Sequence, residues 1–315
     1  MQTKIVYCMV SDGHDWFYEQ ALVSVYSLRQ YHPEATVVLI VDRETDNTLV
    51  GDRCELTKLL TEKVVVDVPE KYPSKNQHSR YLKTNVRRFV EGDYLFIDTD
   101  TIVSASLEEV DHLPVKVGAV IDEHRRMKYA KDNKQAQGCR LLGFDINDYT
   151  VFNSGVMLVR DCQEAHDLYA AWFAAWEQTE ALGKIGRDQP ALMKANIEHE
   201  VIRQIEDKWN TMAGCVNSDF VRLLEAAVII HFCASSAQYL QYSFLFQRVR
   251  LNGGIISEKI SEDIVWMKKK MLEDAYYMFS HTSTHLVFFY LFQHKRSLFQ
   301  KIDKICLWLR SNRQK

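Results

Sequence analysis

The chain has 315 residues, 47% of them hydrophobic and 26% charged, a composition that argues against disorder, a coiled coil or a polytopic membrane protein. Lys and Arg number 39 against 42 Asp and Glu, a net charge of −3, so the balance calls for no nucleic-acid partner. The length suits one large α/β domain with an appendage.

In chain order, Lys4–Val10 reads as a buried strand, Trp16–Tyr31 as a helix with Ala21, Leu22, Val25 and Leu28 on one face, and Thr36–Val41 as a second strand. A helix near Asp46–Leu60, a strand at Lys63–Val68, a helix near Gln77–Val90 and a strand at Tyr94–Ile97 continue the alternation. The pattern predicts an α/β fold with a mostly parallel central sheet flanked by helices, whose ligands gather beyond the carboxyl ends of the strands. Further on, Val117–Ile121, Val151–Val159 and Val228–His231 read as strands, and Asp161–Gln178 and Asp188–Ala195 as helices. The Asn252-Gly253-Gly254 turn marks a boundary between residues 1–252 and a helical, aromatic and basic extension at 253–315.

The cysteines (Cys8, Cys54, Cys139, Cys162, Cys215, Cys233, Cys306) are odd in number and include no CxxC pair, which fits reduced thiols in a cytoplasm. Met1–Lys4 runs straight into a short apolar strand with no signal-peptide pattern. The longest wholly apolar runs, Leu168–Trp176 and Leu286–Phe292, fall far short of the roughly 20 residues that cross a bilayer.

The apolar strand Tyr94–Ile97 ends abruptly in Asp98-Thr99-Asp100-Thr101. Two carboxylates at this spacing can chelate a divalent cation that bridges to a diphosphate; a surface turn capping the next segment would also explain them. The string is shared with haloacid-dehalogenase-type phosphohydrolases, in which the first Asp is a nucleophile. Those carry it on the first strand with Thr or Val four residues on, whereas Ile102 stands there in this chain.

Other segments in order decide between the two chemistries. Val23–Leu28, Arg80-Tyr81-Leu82-Lys83, Tyr94–Val103, Phe152-Asn153-Ser154-Gly155-Val156, Asp188-Gln189 and Ile229–Phe232 together resemble the retaining glycosyltransferases of family 8, over about residues 4–235. The resemblance implies a nucleotide-diphospho-sugar transferase of the GT-A fold in which Asp98, Asp100 and His231 hold a metal. Two carboxylates with an imidazole favour Mn²⁺ over Mg²⁺. Without the resemblance, His231 reads as a core histidine, Lys83 as a solvated helix residue and Asp188 as a helix cap.

By the same resemblance Lys83 approaches the donor phosphates or orients Asp98, and Thr99 lies between the metal carboxylates; the Asn153 amide can hydrogen-bond sugar hydroxyls and Gly155 allows close backbone approach, although a simple turn would also explain the two. Asp188 binds sugar hydroxyls and Gln189 lies near the reacting bond. Ser11 and Asp12, at the end of the first strand, are placed to meet a base such as uracil, with Phe17 stacking on it; Asp15 and Tyr18 are the alternatives. No glycine-rich phosphate loop occurs, so metal and side chains must hold the diphosphate.

One departure stands out. The family places a Gly and then Lys-Pro-Trp soon after the metal His, where this chain reads Phe232-Cys233-Ala234-Ser235-Ser236-Ala237-Gln238. Either Arg248 or Arg250 supplies the missing cation, or the grip is weaker, or the chain is a catalytically silent binder of sugar nucleotides. The expected donor is a UDP-hexose, and the expected acceptor a saccharide or glycolipid. Within His294–Lys315, seven basic residues surround a stripe of Leu298, Ile302, Ile305 and Leu309. With Trp308 and Phe299, that stripe is expected either to pack on the domain or to lie on an anionic membrane at its cytoplasmic face.

Overall fold

The computed structural model describes residues 1–124, 129–183, 186–213, 218–233, 240–273, 287, 290–291 and 294–312. Ala234–Gln238, Leu286, Phe288 and Phe289 lie outside the described residues, as do the side chains of Trp308 and Leu309.

The strands are β1 (Lys4–Met9), β2 (Val37–Asp42), β3 (Glu62–Val66), β4 (Tyr94–Ile97), β5 (Thr101–Val103), β6 (Val117–Ile121), β7 (Phe152–Val159), β8 (Ile202–Gln204), β9 (Thr211–Met212) and β10 (Ile229–His231). Seven form one sheet in the order β3-β2-β1-β4-β7-β6-β8, and the others a small sheet ordered β5-β10-β9. In the large sheet β3, β2, β1 and β4 run parallel, while β7 is antiparallel to both β4 and β6. The central sheet is thus mostly parallel with helices on both faces.

Unbroken apolar strands follow from that burial, since each strand must be apolar on both sides. Ile5, Tyr7 and Met9 of β1, Leu95 and Ile97 of β4, and Val156 and Leu158 of β7 point into one core. Val6, Tyr94, Phe96, Met157 and Val159 point into the other. The first core is covered by the helix Phe17–Tyr31, the small sheet and the helix Leu240–Leu251; Ile260, Ile264, Met267, Met271 and Phe299 from the C-terminal region join it. The second is covered by the helices Lys75–Thr84, Gln163–Gly183 and Gln189–His199, with Trp172 and Trp176 fully buried.

Two expected helices are broken. In place of one helix over Asp46–Leu60 there are Arg43–Thr48, a 3-10 turn at Gly51–Cys54, and Glu55–Lys58. Val50 is extended and Gly51 takes φ +57, so the helical hydrogen bonds cannot continue. Gln77–Val90 is two pieces, Lys75–Thr84 and Val86–Phe89, divided at Asn85. The first begins earlier than expected because Ser74 and Gln77 form a reciprocal capping box.

Candidate active site

The carboxyl ends of β1 and β4 open into a cavity of about 530 Å³ lined by Cys8, Met9, Val10, Phe17, Gln20, Lys75, Asn76, Ser79, Arg80, Asp98, Thr99, Asp100, Arg187 and Cys233. Asp98 and Asp100 flank the bend between β4 and β5, which leaves the large sheet for the small one. Thr101 Oγ1 donates to the Asp98 carbonyl (2.9 Å) and meets Ser24 Oγ at 2.7 Å, while the Val103 amide donates to Ser27 Oγ (2.9 Å). Two serines of the first helix thus anchor the bend.

Antiparallel pairing of β10 with β5 sets His231 opposite Thr101. His231 Nε2 lies 3.1 Å from Asp100 Oδ1 and 4.0 Å from Asp98 Oδ2, and the ligand atoms of the three residues all fall within 4.8 Å of one another. Beneath the imidazole, Nδ1 meets Asn210 Oδ1 at 2.9 Å. Donation from Nδ1 turns Nε2 toward the carboxylates, the arrangement a metal-ligating histidine needs. Two oxygen donors and one nitrogen suit Mn²⁺ or Mg²⁺.

The site's charges are coupled. Burial opposes the charge of His231, yet the neighbouring Cys233 sulfur and the Asp100 carboxylate raise its pKa well above the usual imidazole range. Burial likewise pushes Asp100 upward, but the charge of His231 and its hydrogen bond hold Asp100 below the usual carboxylate range. Lys83, 6% exposed, donates to both oxygens of Asp98 at 2.9 Å and lies 4.0 Å from Asp188 Oδ2.

Asp188 is buried; Arg80 Nε lies 3.2 Å from its Oδ1, and Ser154 Oγ donates to its Oδ2 at 3.2 Å. Against the cost of burial, the positive charges of Arg80 and Lys83 keep it ionised below the usual range. Gln189 donates to the Phe152 carbonyl (2.9 Å) and accepts from Gln135 (3.4 Å). Asn153 donates to Asp122 Oδ1 (2.8 Å), while its own oxygen accepts from Asn210 and from the Gly155 amide, each at 2.9 Å. Asp122, Asn153, Asn210 and His231 thus form one connected hydrogen-bonded network.

Of the residues expected from the sequence, Phe17, Asp98, Thr99 and Asp100 line the cavity directly. Lys83, Asn153, Gly155, Asp188, Gln189 and His231 are buried and do not line the cavity themselves; Lys83 and His231 reach it through Asp98 and Asp100. Ser11 and Asp12 stand one contact removed. Ser11 Oγ donates to Asp15 (2.7 Å) and accepts from Arg53 (2.8 Å); Asp12 pairs with the lining residue Lys75. Neither Arg248 nor Arg250 lines the cavity. Arg248 pairs with Asp263, and Arg250 with Glu19 (2.7 Å) while its guanidinium covers the Trp16 ring.

The sequence reading passed over Asn210 and Asp122, and gave no role to Lys75, Arg80 or Arg187. The spacing of Arg80 from Lys83, one helical turn, was the available signal. A second grouping, Asp42, Glu44 and His78, has a structural explanation: Asp42 caps the helix Arg43–Thr48 through the Thr45 amide (2.8 Å) and meets His78 Nδ1 at 2.5 Å.

The family model described as glycosyl transferase family 8 matches residues 8–236. Among solved structures, the chain is similar to the galactosyltransferase LgtC in complex with donor and acceptor sugar analogs: 16% identity, 85% of this chain and 100% of that one, TM-score 0.52. An active-site mutant of LgtC is similar at 15% identity over the same shares, TM-score 0.54. The apo bifunctional glycosyltransferase WbbM is similar at 15% identity over 74% of this chain, TM-score 0.53, and this chain spans 46% of the WbbM chain's length. Likeness at these identities shows the fold. A search of curated proteins found no match.

Proposed function

The chain belongs to glycosyltransferase family 8 and has the GT-A fold, and from that premise we propose that it transfers a hexose, with retention at the anomeric centre, from a UDP-sugar to a saccharide or lipid-linked saccharide. Membership sets aside the phosphohydrolase reading of Asp98. The observation that carries the proposal is the convergence of Asp98, Asp100 and His231 at the cavity.

Those three residues would hold a divalent cation, Mn²⁺ by their donor set, whose chemistry is to neutralise charge on the departing diphosphate. The remaining work falls to the chain itself. Lys83 fixes the Asp98 carboxylate, and Asn210 fixes the rotation of His231. Phe17, 47% exposed at the cavity, offers a face for a base. On this reading Asp188 would bind sugar hydroxyls and Gln189 would lie near the reacting bond. An amide is a poor nucleophile, so Gln189 acts by hydrogen bonding to developing charge rather than by covalent attack.

Among the described residues no helix is long and apolar enough to cross a membrane. The basic segment His294–Lys315 supports peripheral contact with an anionic membrane at the cytoplasmic face, which would bring a glycolipid acceptor to the cavity.

The test is UDP release from UDP-glucose and UDP-galactose, with and without Mn²⁺. Release should require the metal and vanish in Asp100→Asn, whose fold should be unchanged. Stabilisation by UDP with no turnover of any UDP-hexose, alone or with acceptors, would instead mark a silent binder and overturn the proposal.

A further inference from the structure

We infer that Lys75 and Arg187 form the phosphate-gripping pair of the cavity, in place of the lysine that the segment after His231 lacks. This deepens, and rests on, the reading of the cavity as a nucleoside-diphosphate site. Among the described residues, Lys75, Arg80 and Arg187 line the cavity that holds Asp98 and Asp100, Lys83 pairs with Asp98, and two of these four cations are already committed. Lys83 is buried on Asp98, and Arg80 is paired with the buried Asp188. Lys75 and Arg187 line the cavity as Arg80 does, but neither is held by a buried carboxylate.

Lys75 pairs with Asp12 and lies 3.7 Å from Asp15, but its side chain is 48% exposed. A solvated pair of this kind exchanges partners at little cost. Arg187 is exposed, and among the described residues no carboxylate lies within ion-pairing distance of it. The two are presented from one fixed junction. Asn76, next to Lys75, donates from Nδ2 to the carbonyl of Gly186, next to Arg187, at 3.2 Å. Gly186 permits this contact: it takes φ +66, and a Cβ there would lie 2.7 Å from Asn76 Nδ2. Its amide in turn donates to Glu180 (3.1 Å).

Charge balance asks for such a pair. With the His231 imidazole neutral, as a metal ligand must be, Asp98, Asp100 and Asp188 carry three negative charges against the two positive charges of Lys83 and Arg80, leaving the group one cation short. A bound dication turns that deficit into a single positive excess, less than the charge a diphosphate brings, and the shortfall grows as the sugar departs. Among the described residues, Arg187, which has no carboxylate partner, and Lys75, whose pair with Asp12 is solvated, are the lining charges available to cover it.

The test is calorimetric titration of the full chain with Mn²⁺-UDP, Mn²⁺-pyrophosphate and uridine, on wild type, Lys75→Ala, Arg187→Ala and Arg187→Lys. Each alanine variant should lose roughly tenfold in affinity for both phosphate probes, with Arg187→Lys recovering part; the melting temperature should stay unchanged in each variant, and uridine binding in the Arg187 variants. Wild-type affinity for Mn²⁺-UDP in both alanine variants overturns the pair and leaves the nucleotide reading intact. Arg187-dependent binding of pyrophosphate with no preference for any nucleoside diphosphate supports the pair and overturns that reading. Unchanged Mn²⁺-UDP affinity with a raised acceptor KM assigns Arg187 to an acceptor anion, against the inference. A wild type that binds neither phosphate probe overturns both.

Discussion

The imidazole of His231 occupies the space that a side chain on Gly155 would fill: a Cβ built there lies 2.1 Å from His231 Cε1 and 2.8 Å from Nδ1. The glycine is therefore a condition for the grouping of His231 with Asp98 and Asp100, because β7 passes directly under the ring, and its Gly155 carbonyl also accepts from the Asp98 amide (2.7 Å).

Gly155→Ala should displace the imidazole and reduce Mn²⁺ affinity by about 10–100-fold, the scale seen when a ligand's support is lost. It should also cost roughly 1–3 kcal/mol of stability as overpacking. Gly118→Ala is the control. Its Cβ would meet Ile205 Cγ2 at 2.8 Å and Val115 Cγ2 at 2.9 Å, neither part of the site. Metal titration with thermal melts on both variants separates the effects, since only Gly155→Ala should alter metal affinity.

Asn210 is fully buried and joins two residues of the network, meeting His231 Nδ1 through its oxygen and donating to Asn153 Oδ1 through its nitrogen, both at 2.9 Å. Asn210→Ala should weaken Mn²⁺ binding by about tenfold or more while Asp98 and Asp100 remain in place. Leaving the Asn153 oxygen one donor short should add a stability loss of about 1–3 kcal/mol. If metal affinity in the variant matches wild type, Asn210 is a packing residue and does not orient His231.

Asp98 and Asp100 were legible in the sequence because charge at the end of an unbroken apolar strand is conspicuous, and His231 stood out likewise after Val228–Ile230. Asn210 and Asp122 carried no such mark. They act through partners 21 to 57 residues away, a distance only the fold closes. The interrupted helix after β2 shows a different limit, since apolar periodicity carries no information on the positive φ of Gly51. The strands β5, β8 and β9 span three residues or fewer, too few for alternation to show. Arg187 sat beside Asp188 in the sequence, but its standing as a cavity cation with no carboxylate partner among the described residues depends on where the turn at Gly186 sends it.

Asp263 ties the C-terminal helices to the domain: Arg248 and Lys270 both pair with it. Burial raises its pKa, but hydrogen bonds from Lys270 and Arg248 outweigh that and hold the carboxyl below the usual aspartate range. With a depressed folded-state pKa, this contribution is complete above the unfolded value of about 4 and is lost as pH falls through the folded value. Asp263→Asn should therefore lower the melting temperature at neutral pH and narrow its gap from wild type as pH drops below about 4. Parallel melting curves from pH 7 to pH 3 would show that the ion pairs contribute nothing.

The helix Arg296–Asn312 presents two kinds of apolar residue, and they call for different experiments. Phe299 is 3% exposed and packs into the first core, so Phe299→Ala should destabilise the chain by about 3 kcal/mol. Leu298 and Ile305 are 48% and 55% exposed. Truncation before this helix would remove both kinds at once and confuse loss of folding with loss of any membrane contact. Leu298→Glu with Ile305→Glu changes only the exposed pair. Those substitutions should leave the melting temperature within about 1 °C of wild type, as surface changes do, yet reduce co-sedimentation with anionic vesicles severalfold if the stripe lies on lipid. Undiminished sedimentation would leave the helix as a packing element anchored through Phe299, and the glycolipid acceptor would lose its structural argument.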